Sequence, residues 1–513
     1  MRRAAMSPQG GLLAAAAVLA GPTYLSYPGS PWVLSGFHLA FLAMLALAIP
    51  RPRTDAYSFL AIFLFLGFWL KFTAHQWIGY GFVEPVGAFA GTAGQWDTAL
   101  RSSAAAACGV AAWRALQLGW WRRGRPAGPG ATPEPMADLA VPSWYAAAPA
   151  RVWLCLGGLA VLLYAANFRF AFFVTGVDAR VVLPLRLGAL AAWAVYCGLP
   201  MLVMLCADWD YQRRPDRLWP LVAAPSVLGV VMSASMLSRA STIFLYAALG
   251  MAGLAHRRFP LRRLWLGRGW LLSAGMALAL VASLAVVSVT RLHVYEEPAP
   301  RAVAAAAAPR AAGTAPAPAV PQPSAVTAPS PVPPTTTPPP SHLRMTPGLM
   351  LRQVLLLTTD RWVGLEGMLA LSASDRPGAA LLRAGLLENP RSGVHSIYQT
   401  LARSPYRFQP GFTYLTLPGL PVVLGYSGAP LVVGAGMFAA CAVICLIGGL
   451  ARRLTRSTLL SAWLGLLLAN AICQMSFPYL TFVFVGLCTV ALLALHWLLQ
   501  RMAGGKRAMA RHA

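Results

Sequence analysis

The sequence predicts an all-α polytopic membrane protein of about twelve transmembrane helices, with one large outer loop late in the chain. Three observations predict it. Hydrophobic residues fill 58% of the 513 positions and charged residues only 11%, with a mean hydropathy of +0.59, which excludes an ordinary soluble globule. Apolar runs long enough to cross a bilayer recur along the chain. The arginines between these runs cluster in alternate loops, as cytoplasmic loops require.

Taken in order, the candidate spans are 11–27, 33–50, 58–77, 98–117, 153–175, 185–207, 219–235, 240–255, 270–290, 427–450, 458–474 and 479–499. Arg2 and Arg3 precede the first apolar run in the manner of a signal peptide. Further apolar spans follow at once, so an uncleaved first span is the better reading. Arg51 and Arg53, Arg122 to Arg125, Arg213 to Arg217, Arg257 to Arg268, Arg452 to Arg456, and the tail with Arg501 and Lys506 fall in alternate loops. All are cytoplasmic if both termini are inside. This alternation accounts for much of the net charge of +26, so the charge calls for no nucleic-acid partner. The segment 219–255 is too long for one span and has basic loops at both ends. It must cross an even number of times, which makes it a hairpin turning near Ser238 and Arg239.

Four regions follow. Residues 1–290 form an N-terminal membrane domain of about nine spans. Residues 291–347 are rich in Pro and Ala. Within them 301–341 is almost wholly Ala, Pro, Ser and Thr, which cannot bury a core and should be a disordered or polyproline-like spacer. Residues 348–426 are the information-rich part of the outer loop. There 348–371 interleaves apolar residues with charges, which suits a surface or re-entrant helix. The apolar stretch 411–426 is broken by Pro418, Gly419 and Pro421. Irregular backbone at membrane depth is tolerated only where it is buried or lines a cavity, so this stretch reads as the floor or lip of a site. Residues 427–513 form a C-terminal membrane domain of about three spans. The eight cysteines lie in or beside apolar segments and none is in the outer loop. They read as small packing residues, with no disulfide framework and no paired-cysteine metal site.

A second set of cations breaks the alternation. Lys71, Arg101, Arg169, Arg180, Arg186, Arg239 and Arg291 fall at the opposite ends of the spans, and Arg352, Arg361, Arg391, Arg403 and Arg407 lie in the large loop on that same side. A charge at mid-membrane costs roughly 2.5–3.5 kcal/mol on insertion scales, and less toward the surface. A cationic cup on the outer face therefore points to an anionic substrate handled outside the cytoplasm.

Individual residues sharpen this reading. Lys71 and His75 are four apart and share a helix face, with Glu84 in the following loop. They could grip an anion or a sugar; the plainer alternative is a snorkelling lysine and an interfacial histidine. Arg169, Arg180 and Arg186 bracket one outer loop. The planar guanidinium suits phosphate, while headgroup contact or pairing with Asp178 would also explain them. Arg239 stands at a hairpin apex with no acidic neighbour in sequence, where a solvated turn residue is the alternative. In the stretch TTDRWVGLEGMLALS at 358–372, Arg361 could hold a phosphate and Glu366, partly desolvated, could act as a general base. A local salt bridge on an amphipathic helix would place the same residues there. His395, with Tyr398, Arg403 and Arg407 after it, is a second candidate acid or base. There is no Walker loop, no HExxH and no GxSxG, and no paired-Asp motif in the early outer loops. The expectation is therefore no ATP, no cofactor and no essential metal.

Three pieces together resemble the bacterial O-antigen polymerase family, the oligosaccharide repeat unit polymerases. They are Ser238-Arg239 followed by an apolar span, DRWVGLEGMLALS at 360–372, and FTYLTLPGLPVVLGYSGAPLVVGAGMF at 412–438. The resemblance extends to the architecture of many spans with one large periplasmic loop late in the chain. It implies a multi-pass protein of the bacterial inner membrane with its site facing the periplasm. The substrate would be an oligosaccharide on undecaprenyl diphosphate. The growing glycan would pass from its lipid diphosphate to a sugar hydroxyl of the next unit, with inversion as direct displacement requires, building O-antigen, capsule or exopolysaccharide. Arg239 and Arg361, supported by Arg186 and Arg291, would clamp the diphosphate, with Arg180, Lys71, His75 and Arg407 as further contacts. Glu366 or His395 would be the base. A chain-length regulator and a flippase of the same pathway would be its protein partners. Two other readings share parts of this pattern: an O-antigen ligase moving the finished glycan to another acceptor, and a flippase or transporter without chemistry. A transporter usually has mid-membrane sites and repeat symmetry, and no repeat is visible here. A non-enzymatic chain-length regulator is a further reading, and the chain lacks the sustained heptads of such a protein.

Overall fold

The computed structural model describes residues 8–48, 55–79, 81–82, 84–123, 141–176, 181, 184, 187–256, 269–296, 362–389, 395–404, 417–474 and 477–509. Among these the regular elements are all helices. The principal ones are α1 (Pro8–Ala20), α2 (Pro31–Leu47), α3 (Asp55–Ile78), α4 (Ala93–Arg123), α5 (Pro149–Phe170), α6 (Leu187–Arg213), α7 (Trp219–Met236), α8 (Ala240–His256) and α9 (Gly269–Glu296). Four short helices follow in the loop region: α10 (Leu365–Ser372), α11 (Ala379–Leu387), α12 (Ile397–Leu401) and α13 (Gly419–Gly425). The chain closes with α14 (Pro430–Thr455), α15 (Thr458–Gln474) and α16 (Pro478–Met509).

This is a helical membrane protein. Seven helices, α3, α5, α6, α7, α9, α14 and α16, are long and apolar enough to cross a bilayer. Four other apolar stretches, within 10–26, 31–47, 240–254 and 458–474, are shorter. Helix α4 has length to spare but is rich in Ala and Ser and carries Asp97, Arg101 and Arg114, so its apolarity falls short. Each of the twelve segments expected from the sequence overlaps one of these helices, with ends displaced by several residues in places. The Pro/Ala-rich stretch 301–341, and Asp360, Arg361, Arg180, Arg186, Arg352, Arg391 and Arg407, lie outside the described residues.

Burial separates a centre from a rim. Helix α15 is buried from Thr458 through Cys473 and packs against α3, α6, α8 and α14. A helix apolar on every side is one that neighbours surround. Of the most apolar stretches of α5, α9 and α16 only 11% is buried, against 78% for α3. Their leucines and valines face outward, as lipid-facing helices require. The first turns of α15 hold carboxylates from two neighbours. Ser457 Oγ donates to Asp208 Oδ2 at 2.5 Å and Ser461 Oγ donates to Asp55 Oδ2 at 2.9 Å, where the helix N-terminus favours negative charge. At the same end of α3, Arg114 is buried. Its guanidinium lies over the Tyr57 ring at 5.5 Å and donates to Leu47 O and Gln117 Oε1.

The expected hairpin at 219–255 is present. Helix α7 ends at Leu237, which takes a left-handed conformation with φ 51°, and α8 begins at Ala240. Hydroxyls join the arms: Ser226 to Tyr246 at 2.7 Å and Ser233 to Thr242 at 3.2 Å. Thr242 also reaches Ser283 of α9 at 2.7 Å. Such interhelical hydrogen bonds are worth roughly 0.6 kcal/mol each within membranes, so they set register more than stability.

Candidate functional site

Two residues distant in sequence define the site. Lys71, in α3, donates from Nζ to Glu366 Oε1 on α10 and to the carbonyl of Trp362. The two charges are 295 residues apart, and both are buried, Lys71 at 0% and Glu366 at 3% exposure. Taking two charges out of water is expensive, and only close contact with further hydrogen bonds offsets the cost.

Local structure explains how they meet. Residues Phe65–Leu70 of α3 form a π-helical turn directly before Lys71. Such bulges in α-helices occur frequently at functional sites. Within the turn, Gly67 lies against the backbone of 363–364. A Cβ at Gly67 would sit 2.3 Å from Val363 O, and one at Gly364 would sit 2.6 Å from Gly67 O. Two facing glycines thus let the two backbones touch, which brings 362–366 within reach of the lysine. The segment is held from a third side by α15, where Gln474 Oε1 accepts from Val363 N at 3.0 Å. Trp362 packs on Phe63 with ring centres 5.5 Å apart, and Phe63 in turn meets Phe244 of α8.

The surroundings are partly polar. His75, one turn beyond Lys71, is buried and stacks on Phe82 at 4.0 Å. The loop containing Glu84 docks on α12, where Gly87 N donates to Ala402 O at 2.9 Å. Tyr398 of α12 is buried; burial first, then the nearby Glu366, Tyr426 and Glu84, push its phenol well above the ordinary value. Glu388 at the end of α11 accepts from Ile397 N at 2.7 Å. Burial raises its carboxyl above the ordinary range, and that hydrogen bond partly opposes the rise.

The sequence treated Lys71 and Glu366 as separate candidates, a cation for a substrate anion and a base near Arg361. The structure brings them together as one pair. Lys71 does not snorkel to the surface, and Lys71 with His75 does share one buried face. His395 is exposed at the entry to α12, just before Ser396, which caps that helix reciprocally with Gln399. Arg239 is exposed in the α7–α8 turn. Arg291 folds back onto the same turn, donating from Nε and Nη2 to Leu237 O at 3.1 and 2.9 Å. Arg291 thus holds the backbone of the turn that carries Arg239. Sequence reasoning missed Gln474, the π-helical turn and the Gly67–Gly364 crossing. One signal was available: Lys71 and Lys506 are the only lysines in an arginine-rich chain.

Comparison with protein-family models, with curated proteins and with solved structures gives no match to this chain.

Proposed function

We propose that this chain is a periplasmic-face glycosyltransferase of the bacterial inner membrane, one that polymerises oligosaccharide repeat units carried on undecaprenyl diphosphate. In this reading the chain crosses the membrane twelve times with both termini inside. The seven long apolar helices, the four shorter ones and α4 supply the spans. The single observation that carries the reading is the buried Lys71–Glu366 pair. It seats the loop region, which bears most of the family-like residues, against α3.

The chemistry needs two things. A diphosphate leaving group gains negative charge as the anomeric bond breaks, and positioned cations stabilise that charge. Arg239, on the turn that Arg291 holds, together with Arg361, Arg186, Arg180 and Arg407, supplies the cations. The acceptor hydroxyl must lose a proton as its oxygen attacks the anomeric carbon, and Glu366 or His395 takes it. Direct displacement inverts that carbon, and no metal enters the step.

The test is the pool of lipid-linked sugars in a deletion strain complemented with wild type, Glu366→Gln or Arg361→Ala. Single lipid-linked units should accumulate and long polymer should vanish in the deletion and in both variants. Normal polymer in the deletion strain would overturn the reading. Long chains left on lipid would point to a ligase, and units that never reach the outer leaflet would point to transport.

A further inference from the structure

We infer that the first turn of α8 is a phosphate site, where the backbone N–H groups of residues 240–242, the Ser241 hydroxyl and the Arg239 guanidinium hold one phosphate of a polyprenyl diphosphate. The identity of that ligand rests on the proposed function. The site rests on what the α7–α8 turn leaves unpaired.

Two helix ends meet at this turn, and they are treated differently. The carbonyl end of α7 is satisfied. Ser233 O accepts from Ser238 N at 3.2 Å and Met236 O from Thr175 N at 2.9 Å. Ser235 O accepts from Asn167 Nδ2 at 3.0 Å, and Leu237 O from Arg291. These ties also fix the turn in place before any ligand arrives. The N–H end of α8 is left open. The first N–H groups of a helix find no partner inside it, and the usual remedy is a Ser, Thr, Asp or Asn cap. Here Arg239 stands before Ala240 and the first turn holds no acidic residue. Among the described residues no side chain caps it. A cation at the positive end of a helix is an arrangement that the macrodipole disfavours and a bound anion relieves.

Ser241 points to a ligand independently. It is 1% exposed and its hydroxyl has no partner. Other serines of these helices donate to the carbonyl four residues back: Ser226 to Val222, Ser283 to Ala279 and Ser288 to Leu284. For Ser241 that carbonyl is Leu237 O, which already accepts two bonds from Arg291. The next hydroxyl, on Thr242, is engaged with Ser233 and Ser283. Side chains of a helix lean toward its start, so the unpaired Ser241 hydroxyl lies beside the open N–H groups. The turn reaches the surface, with Arg239 exposed and Ser238 and Ala240 half-buried. Backbone N–H groups, a hydroxyl and a guanidinium are the donors that phosphate oxygens take.

The test is equilibrium binding of polyprenyl diphosphate to the purified full-length protein in phosphatidylcholine vesicles, with polyprenol as the uncharged control. Wild type should bind the diphosphate far more tightly than polyprenol. Ser241→Ala should weaken diphosphate binding about tenfold or more, the worth of one hydrogen bond to a charged group. Its thermal stability without ligand should be unchanged or raised, because an unpaired buried hydroxyl is gone. Arg239→Asp places a capping carboxylate on the same N–H groups. Its unliganded stability should rise and its diphosphate binding should be lost. Wild-type affinity in both variants would overturn the proposal, as would equal binding of polyprenol. A Ser241→Ala protein that loses stability and keeps its affinity would mark a structural serine and overturn it too. So would displacement of the diphosphate by an equal amount of phosphatidylglycerol, which would assign the turn to lipid headgroups. Binding and polymerisation can fail separately. Normal polymer in the deletion strain alongside the expected binding pattern would sink the polymerase reading alone. Lost polymer alongside variants that bind as wild type does would sink the phosphate site alone.

Discussion

Replacing Lys71 with Met removes the cation and leaves Glu366 buried at 3% exposure against α3. The volume is nearly kept, so the cavity term is small and electrostatics decides the outcome. Removing one partner from a buried pair costs about 3–5 kcal/mol, because the remaining charge is uncompensated. At 1.4 kcal/mol per decade that is roughly two to three and a half decades in the folded population. The companion change Glu366→Leu then eliminates the orphaned charge. The double variant Lys71→Met/Glu366→Leu should recover most of the loss, since replacing a buried pair by apolar groups is often neutral. Denaturant unfolding of the purified protein in detergent, run as a double-mutant cycle, reads the coupling directly. Additive losses in the double variant, or an undiminished Lys71→Met single variant, would refute the claim that these two side chains form one desolvated unit. The same cycle separates stability from function, because a folded double variant should still make no polymer.

Other outcomes follow from the same geometry. Gly67→Ala places a methyl group 2.3 Å from Val363 O; it should push 362–366 away, cost about 1–3 kcal/mol as overpacking does, and lower polymer yield, measured by unfolding and glycan length together. Arg291→Gln loses the guanidinium bonds to Leu237 O and should cost about 1.5 kcal/mol, with increased protease sensitivity at the α7–α8 turn. Glu388 has a folded carboxyl shifted upward by burial. Its neutral form is therefore favoured in the folded state, and stability falls as pH rises from the ordinary carboxylate value through the shifted one. Glu388→Gln should accordingly raise thermal stability at pH 7 and leave it unchanged well below the ordinary value; a stabilisation confined to low pH would contradict this. Cys197 of α6 and Cys488 of α16 stand with sulfurs 3.6 Å apart, so a membrane-permeant oxidant should join them, detected as a cross-linked peptide by mass spectrometry, and loss of that product would reject the packing of α16 on α6.

Much of the fold was legible because bilayer physics writes it locally. The spacing of apolar runs located the helices, and the basic loops forced the 219–255 hairpin, whose turn falls at Leu237–Arg239. The shared face of Lys71 and His75 followed from four-residue spacing alone. The limits were of two kinds. Helix ends moved where composition was mixed: α4 runs from Ala93 to Arg123, well past the expected 98–117, because alanine continues a helix where hydropathy does not reveal one. Tertiary pairing was illegible for another reason. Nothing local in LGFWLK or in WVGLEG says that the two glycines face each other, and the pairing of Lys71 with Glu366 depends on that crossing. Gln474 escaped notice because its role, holding Val363 N, exists only after the loop region has folded back onto α15.

The central claim, that the chain transfers glycans between lipid diphosphates, is tested most directly with the purified protein in vesicles supplied with a polyprenyl-diphosphate oligosaccharide and no other protein. The account predicts a ladder of lipid-linked glycans growing by whole repeat units, one polyprenyl diphosphate released per unit added, and an inverted configuration at each new linkage. Donor recovered unchanged from vesicles in which the protein is folded and binds the diphosphate would contradict it.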